Sequence, residues 1–283
     1  MQQNIEIPIS YGVLRGLEFN PRASQKVLAV HGWLDNGASF QPLAKFLGDT
    51  HLVAVDLPGH GLSDHRAPGV TYHLVDFVMD VLEASRHLDW PRFHLVGHSL
   101  GAGISSLLSV TAPECLLSLT LIDGIGPISG REGDAVERLQ RAWRARQTPD
   151  NRPPRAWPSI EAAVRARLAA TPMQPECARL IVTRNLVQTE QGFRWRTDRR
   201  VGFPSPVYLS EALVLEFLRS IGVPVQLVRA AQGILPELPF APDRIAAIAG
   251  LRLHDLAGFH HVHMDDPETV ARRILPLIEE NSG

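Results

Sequence analysis

The stretch Gly97-His98-Ser99-Leu100-Gly101 follows the apolar run Phe93–Val96 and is the most informative part of this chain. A short apolar run that leads into a serine between two glycines is typical of a sharp turn from a strand into a helix, because bulky neighbours would collide there. The helix predicted next, Leu100–Thr111, would point its N-terminal amides towards the serine. The pattern therefore predicts a nucleophilic Ser99 at a strand end.

Composition bounds the class of protein. The chain has 283 residues, of which 45% are hydrophobic, enough for a sizeable buried core. The neighbours of Cys115 and Cys177 suggest neither a metal site nor a redox pair. The N-terminus lacks the basic and apolar regions of a signal peptide, and no stretch approaches about eighteen uninterrupted apolar residues. We therefore expect a cytoplasmic protein without a membrane span.

Short apolar runs alternate with helical patterns up to residue 123 and again from residue 223. This alternation predicts an α/β fold with a doubly wound, mostly parallel sheet of eight strands, whose first two strands form an antiparallel hairpin at one edge. The predicted strands are Ile5–Ile9, Gly12–Phe19, Val27–Val30, Leu52–Val55, Phe93–Val96, Leu117–Ile122, Val225–Val228 and Leu251–Leu256. The predicted helices are Phe40–Leu47, His73–Leu88, Leu100–Thr111, Asp243–Ile248 and Pro267–Glu280.

Residues 127–220 break this alternation. They contain proline-rich joints and helical stretches, namely Thr148-Pro149, Arg152-Pro153-Pro154, Trp157-Pro158, Gly133–Arg146, Ile160–Ala170 and Pro175–Val187. Ligands bind at the carboxyl ends of the strands in such sheets, so we expect this insertion to be a helical cap, or lid, over the site. The core domain would then comprise residues 1–126 and 221–283, with a peripheral appendage as the alternative for the insertion.

Charge is distributed unevenly along the chain. The net charge is −2, yet residues 127–220 hold sixteen arginines, no lysine and ten acidic residues, about +6, which leaves about −8 elsewhere. The arginines either attract an anionic substrate, a membrane surface or a partner, or lie on solvated helix faces. No nucleic-acid motif accompanies them, so we expect no nucleic-acid partner. The aromatic residues of the insertion either line an apolar pocket or form its own small core: Trp143, Trp157, Phe193, Trp195 and Phe203.

A second glycine turn lies upstream of the serine. The run Val27–Val30 leads into His31-Gly32-Trp33, which predicts a strand that ends in a tight turn. A tetrahedral oxyanion needs two amide donors, one from the residue after the nucleophile and one from such a turn. The candidates are the backbone N–H groups of Leu100 and Trp33. His31 is interpreted as a structural residue that holds the turn.

Three motifs, in this order and spacing, resemble the α/β-hydrolase superfamily: His31–Asn36, Asp56–Asp64 and Gly97–Gly101. Within it, the chain most resembles the serine hydrolase-like proteins. The likeness covers residues 5–126 and 221–281 and is weak over the insertion. The resemblance implies a sheet of eight strands, a helical lid and a serine, acid and histidine triad in that chain order, with no cofactor.

The base is expected from the loop Gly258–Glu268. This loop is similar to one of the family in which the catalytic histidine stands seven residues before the proline that opens the last helix, and that register selects His260. His261 would project differently, and His263 is interpreted as a packing residue. The histidines and aspartates of this loop also suggest a metal site, but without a second ligand group elsewhere we expect no metal.

The acid departs from the commoner pattern of the family. Many members carry it after the strand that follows the cap, but Val225–Gly233 contains no carboxylate. Asp123, after the strand before the insertion, resembles the acid of one branch of the haloalkane dehalogenases. Because the ends of parallel strands lie along one edge, we expect Asp123 to reach the histidine loop. Glu237 and Asp243 are the alternatives. It also remains open that Asp123 only caps its strand while backbone carbonyls hold the histidine.

These residues predict acyl transfer to water. A serine in place of the aspartate of those dehalogenases argues against halide displacement and epoxide hydrolysis, so we expect a carboxylesterase that acts on small-molecule esters through an acyl-enzyme. Alternatives are thioester, lactone or carbon–carbon bond hydrolysis by the same triad, and a ligand-binding protein with little turnover. Neither the acyl preference nor the oligomeric state follows from the sequence.

Overall fold

A computed structural model describes residues 2–147 and 155–282. Its strands are β1 Gln2–Ile9, β2 Gly12–Phe19, β3 Gln25–Val30, β4 Thr50–Val55, β5 Phe93–His98, β6 Leu116–Ile122, β7 Leu186–Thr189, β8 Gly192–Trp195, β9 Val225–Gln232 and β10 Arg252–Phe259. Eight of these strands form one sheet in the order β1-β2-β4-β3-β5-β6-β9-β10, and β7 and β8 form a separate two-stranded sheet. Within the large sheet, β2 runs antiparallel to its neighbours β1 and β4, and the other pairs are parallel.

Most of the helices lie in crossovers between these strands, and the last two follow β10. They are α1 Gln41–Ala44, α2 Leu74–His87, α3 Leu100–Thr111, α4 Ala135–Gln147, α5 Ile160–Ala170, α6 Pro175–Asn185, α7 Glu211–Arg219, α8 Ala241–Ala247, α9 Val262–Asp265 and α10 Pro267–Glu280. Parallel strands need such crossovers, which cover both faces of the sheet. The sheet and its helices have the α/β-hydrolase architecture that the sequence predicts.

The sheet carries a separate apolar core on each face. Successive side chains of a strand point to opposite faces, and accordingly Leu28 and Val30 of β3 pack in one buried cluster, whereas Val27 and Ala29 pack in the other. The first cluster includes side chains of α2 and α3, and the second includes side chains of α10. All residues of β4 and β5 are buried, so the centre of the sheet is fixed on both sides.

The predicted elements of the core agree with the structure apart from their ends and one helix. The predicted helix Phe40–Leu47 is reduced to α1, because a 3-10 turn occupies Gly37–Phe40 and the helix ends after Ala44. The hairpin of β1 and β2 lies at the sheet edge as predicted. Helix α3 has the predicted bounds.

The insertion differs more from its prediction. The helix expected over Pro175–Val187 ends at Asn185, and the chain continues into the hairpin of β7 and β8. Helix α7 was not predicted, although Ser210 accepts a hydrogen bond from the amide of Leu213 and thereby caps its start. The joints at residues 148–149 and 152–154 lie outside the described residues.

The insertion has a small core of its own, in which Trp157, Phe193 and Trp195 pack against α5 and α6. Trp143 is exposed. Three buried or half-buried arginines join the insertion to the rest of the chain. Arg167 contacts the carboxylate of Asp35, Arg184 contacts that of Asp56, and Arg200 donates to backbone carbonyls of residues 66, 67 and 70. Part of the positive charge of the insertion therefore pairs with acids of the core or donates hydrogen bonds to its backbone carbonyls.

Candidate active site

Ser99 occupies a strained turn between β5 and α3. Its backbone has φ 53° and ψ −114°, a conformation that residues other than glycine rarely adopt. The turn is tight: a Cβ on Gly101 would lie 2.0 Å from the carbonyl oxygen of Val30, and one on Gly97 would lie 2.4 Å from the carbonyl oxygen of Gly101. Both glycines are therefore required by close approach of the backbone, and the turn holds a partly exposed serine at the strand end.

Asp123 and His260 form a hydrogen-bonded pair beside this turn. Nδ1 of His260 lies 2.7 Å from Oδ2 of Asp123, and because a carboxylate only accepts, the imidazole donates. Asp123 is fully buried and also accepts from the amides of Ala230 and Ile234. Glu237 and Asp243, the alternative acids, are exposed. The structure thus gives the histidine a carboxylate partner from the end of β6.

Contacts of neighbouring residues bring this pair to Ser99. Nε2 of His98, the residue before the serine, donates to the carbonyl oxygen of His260 at 2.9 Å, and the two rings are 4.6 Å apart. On the other side, a Cβ on Gly124 would lie 2.8 Å from the carbonyl oxygen of Ser99. The serine therefore lies between the segments that carry the acid and the histidine.

The two proposed amide donors belong to separate segments, since Leu100 directly follows Ser99 and Trp33 follows β3. Leu100 opens α3, where the first amides have no acceptor within the helix. Trp33 lies in the turn Gly32–Asp35, closed by a hydrogen bond of 3.1 Å from the amide of Asp35 to the carbonyl of Gly32. We call this turn the oxyanion turn. It packs closely on β5, since a Cβ on Gly32 would lie 2.9 Å from Nδ1 of His98.

His31 supports the oxyanion turn from below. Its Nδ1 donates to the carbonyl of Gly32 at 2.7 Å, and its Nε2 accepts from the amide of Leu57 at 2.9 Å. Burial lowers the pKa of His31 to about 4, so the ring is neutral and both nitrogens keep these roles. This geometry agrees with the structural interpretation of His31.

A buried ionic cluster, which was not predicted from the sequence, adjoins the site. Asp35 accepts from Nε2 of His261 at 3.0 Å and from the guanidinium of Arg167. Burial alone would raise the pKa of the Asp35 carboxyl, but His261 and Arg167 outweigh burial and hold the pKa well below its usual range. The carboxylate is therefore charged, although only 1% of its surface is exposed.

Two further histidines pack against this cluster. The rings of His98 and His263 lie 4.3 Å apart, and both residues are fully buried. Burial, with the neighbouring imidazoles, lowers the pKa of each well below the usual value. His263 also packs against Phe40, in agreement with its interpretation as a packing residue.

The residues that could hold a metal belong to the same cluster. Ligand atoms of Asp35, His98 and His261 lie within 4.8 Å of one another. The oxyanion turn and β5 therefore supply the ligand group outside the histidine loop that was not predicted from the sequence. In the described part of the chain, however, the guanidinium of Arg167 also lies within 3.4 Å of Nε2 of His261. The protein itself thus supplies a positive charge to this carboxylate.

The fold and this site define the class of protein. The chain belongs to the α/β-hydrolase fold family, whose sequence model matches residues 26–267. It is similar to serine hydrolase-like proteins of Dictyostelium discoideum, with 30% identity over 98% of this chain and 82% of the relative, and of Danio rerio, with 29% identity over 98% and 88%. A hypothetical protein of Pseudomonas aeruginosa has a crystal structure that matches with a TM-score of 0.91 and 37% identity over 98% of both chains.

Hydrolysis is therefore the general activity that the family and these relatives support. Across residues 2–147 and 155–282, no helix combines the length and apolar character that a membrane crossing requires.

Proposed function

We propose that the protein hydrolyses carboxylic esters of small to medium size, with Ser99 as nucleophile, His260 as base and Asp123 as the acid that orients it. The observation that supports this most is the 2.7 Å contact of Asp123 with Nδ1 of His260 next to the strained serine turn. A carboxylate on Nδ1 leaves Nε2 of the imidazole free to accept a proton. A serine needs such a base to act as a nucleophile.

The reaction would proceed in two acyl transfers. Oγ of Ser99 attacks the ester carbonyl carbon while Nε2 of His260 takes the hydroxyl proton, and Asp123 stabilises the imidazolium. The oxyanion is held by the N–H groups of Trp33 and Leu100. The ester bond then breaks, and the alcohol leaves with the proton from His260. Water, deprotonated by His260, attacks the acyl-enzyme and releases the carboxylic acid and Ser99.

Large apolar side chains at the site support a substrate with an apolar part. Trp33 is 54% exposed. Phe259, which precedes His260, is 44% exposed, and Ile234, whose amide donates to Asp123, is 38% exposed. Exposed apolar side chains that group around polar reactive residues are typical of ligand sites. We infer that they contact the acyl or alkyl chain of the ester.

Contacts of the insertion, residues 127–220, support the proposal that it is a cap over a core of residues 1–126 and 221–283. Arg167 in α5 reaches the oxyanion turn, and the indole Nε1 of Trp33 donates to the carbonyl of Val201 at 3.4 Å. Elements of the insertion therefore lie next to the proposed oxyanion donor. A cap in this position would exclude water from the acyl-enzyme and select the substrate.

The test is the Ser99→Ala variant with short p-nitrophenyl esters and a fluorophosphonate probe. We expect the variant to lose turnover and probe labelling while its melting temperature stays near that of the wild type. Ser24→Ala, which removes an exposed hydroxyl bound to Asp49, is the matched control and should behave as wild type. Undiminished hydrolysis by Ser99→Ala would reject the proposal, as would a wild-type protein that the probe does not label.

A further inference from the structure

We propose that Asp35 is a positioning residue that aligns His260 with the oxyanion turn. In this proposal Arg167 makes the alignment depend on the position of the insertion relative to the core. This inference rests on the proposed function, because it concerns the geometry of the same site. In this proposal both residues act through His261 and the oxyanion turn rather than on the reacting atoms.

The carboxylate of Asp35 joins three segments that are far apart in the chain. Its backbone closes the oxyanion turn on Gly32, its Oδ2 accepts from His261 beside the proposed base, and its Oδ1 accepts from Arg167 in α5. One buried group thus contacts the turn that carries the Trp33 amide, the loop that carries His260, and the insertion.

Displacement of this carboxylate would be transmitted to the site because the space around it is filled. A Cβ on Gly32 would lie 3.0 Å from Oδ2 of Asp35 and 2.9 Å from Nδ1 of His98. His98 in turn donates to the carbonyl of His260, and its Nδ1 lies 3.7 Å from Oδ2 of Asp35. A shift of Asp35 therefore moves either the turn or the histidine.

Arg167 is what keeps Asp35 in this position. A charged carboxylate that water cannot reach requires a compensating charge, and loss of one partner of a buried ion pair leaves the other uncompensated. Without the guanidinium, His261 would be the one side chain among the described residues still hydrogen-bonded to the Asp35 carboxylate, and water would enter to solvate the charge. Misalignment of this kind lowers kcat and leaves substrate affinity largely unchanged, because the insertion and the apolar side chains still bind the ester.

The experiment compares Arg167→Ala, Arg167→Lys, Asp35→Asn and Arg200→Ala with the wild type on p-nitrophenyl butyrate. Arg200 is the matched control because it also joins the insertion to the core, through carbonyls of residues 66, 67 and 70, away from Asp35. We expect Arg167→Ala and Asp35→Asn to lower kcat by about 10- to 100-fold with KM changed less than about threefold. Arg167→Lys should recover part of the loss, and Arg200→Ala should lower the melting temperature but not kcat.

Chemical rescue separates positioning from general stability. Guanidinium ion at about 20 mM should raise kcat of Arg167→Ala several-fold, because it can occupy the vacated place beside Asp35. Urea at the same concentration should not, and guanidinium should not rescue Asp35→Asn, which lacks the anion. Equal kcat in Arg167→Ala and Arg200→Ala would overturn the proposal, and so would rescue of Asp35→Asn to the same extent.

A readout independent of turnover distinguishes this inference from the proposed function. The Nδ1 proton of His260, assigned by its loss in His260→Gln, should give a downfield proton resonance in the wild type that broadens in Arg167→Ala and persists in Arg200→Ala. A wild type that shows this pattern but cleaves no ester and resists the phosphonate would reject ester hydrolysis alone. An unchanged resonance in Arg167→Ala would reject the positioning role.

Discussion

His260 donates from Nδ1 to Oδ2 of Asp123 at 2.7 Å, and these residues are 137 positions apart in the chain. The acid comes from the end of β6, ahead of the insertion, and reaches a loop that follows the last strand. Both carboxylate oxygens also accept from backbone amides at and after the end of β9, those of Ala230 and Ile234. The orientation of the imidazole is thus fixed by the ends of three neighbouring parallel strands.

The first prediction concerns the charge of this acid. Asp123→Asn should lower kcat by about 10⁴-fold with a small change in KM, because an amide favours the wrong tautomer of His260. The measurement is steady-state hydrolysis of p-nitrophenyl butyrate. Glu237→Gln and Asp243→Asn are controls that should retain wild-type kcat, and a loss in either of them would contradict the assignment of Asp123.

The second prediction concerns the space beside the acid. A Cβ on Gly233 would lie 2.1 Å from Oδ2 of Asp123, so Gly233→Ala must displace the carboxylate from His260. We expect kcat to fall by about 100-fold, as for other small misplacements of catalytic groups. Gly222→Ala is the control, because a Cβ there meets no atom within 4 Å. Normal kcat in Gly233→Ala would show that the contact is not needed.

The third prediction concerns the ion pair of Arg184 with Asp56, whose side chains are 9% and 0% exposed. Arg184→Met should lower the free energy of unfolding by about 3 kcal/mol, because it leaves a buried carboxylate without its cation. Arg179→Met, which breaks an exposed pair with Glu161, should cost less than about 1 kcal/mol. Urea denaturation measures both, and equal losses would contradict the distinction between buried and exposed pairs.

The fourth prediction concerns pH and stability. Burial lowers the pKa of His31 to about 4, of His60 to about 3 and of His94 to about 4. In the folded protein these pKa values lie below the unfolded value of about 6.5. The neutral rings therefore contribute their full stabilisation above about pH 6.5, and this contribution is lost as the pH falls below that value. Between about pH 7.5 and pH 5 we expect a loss of about 2 kcal/mol per histidine in the free energy of unfolding.

Asp80 acts in the opposite direction, since burial raises its pKa to about 6 and favours the fold as pH falls towards about 4. One such group offsets only part of the effect of three histidines. His94→Gln should reduce the loss on acidification, as measured by urea denaturation at both pH values. A free energy of unfolding that does not fall with pH would mean that these rings are charged in the fold.

The fold was largely predictable because its signals are local. The apolar runs of β3 and β5 and the glycines around Ser99 reflect burial and close backbone approach at those positions. The interpretation of Asp123 as the partner of His260 depended on the resemblance to one branch of the haloalkane dehalogenases and on one topological rule, that the ends of parallel strands share an edge. The structure places these two residues in contact, and their catalytic role remains a prediction.

The cluster around Asp35 could not be predicted from local patterns. Its partners Arg167 and His261 are 132 and 226 positions away, and no spacing rule relates them. The hairpin of β7 and β8 was missed because four-residue strands carry little periodicity, and helix α7 was missed although Ser210 is a recognisable cap. The contacts of Asp35 were thus missed because they are non-local. The hairpin and α7 were missed because their local patterns are short.

The arginine contacts of the insertion with the core differ in one respect from contacts that lysines would make. Residues 127–220 contain arginine and no lysine. A guanidinium keeps its proton at any pH at which the protein folds, so the arginine contacts with the core do not lose their cation by deprotonation. Amine acetylation, which removes charge from lysines, has no side-chain target in this segment. The cations that Arg167, Arg184 and Arg200 present to the core can thus be removed neither by a rise in pH nor by acetylation.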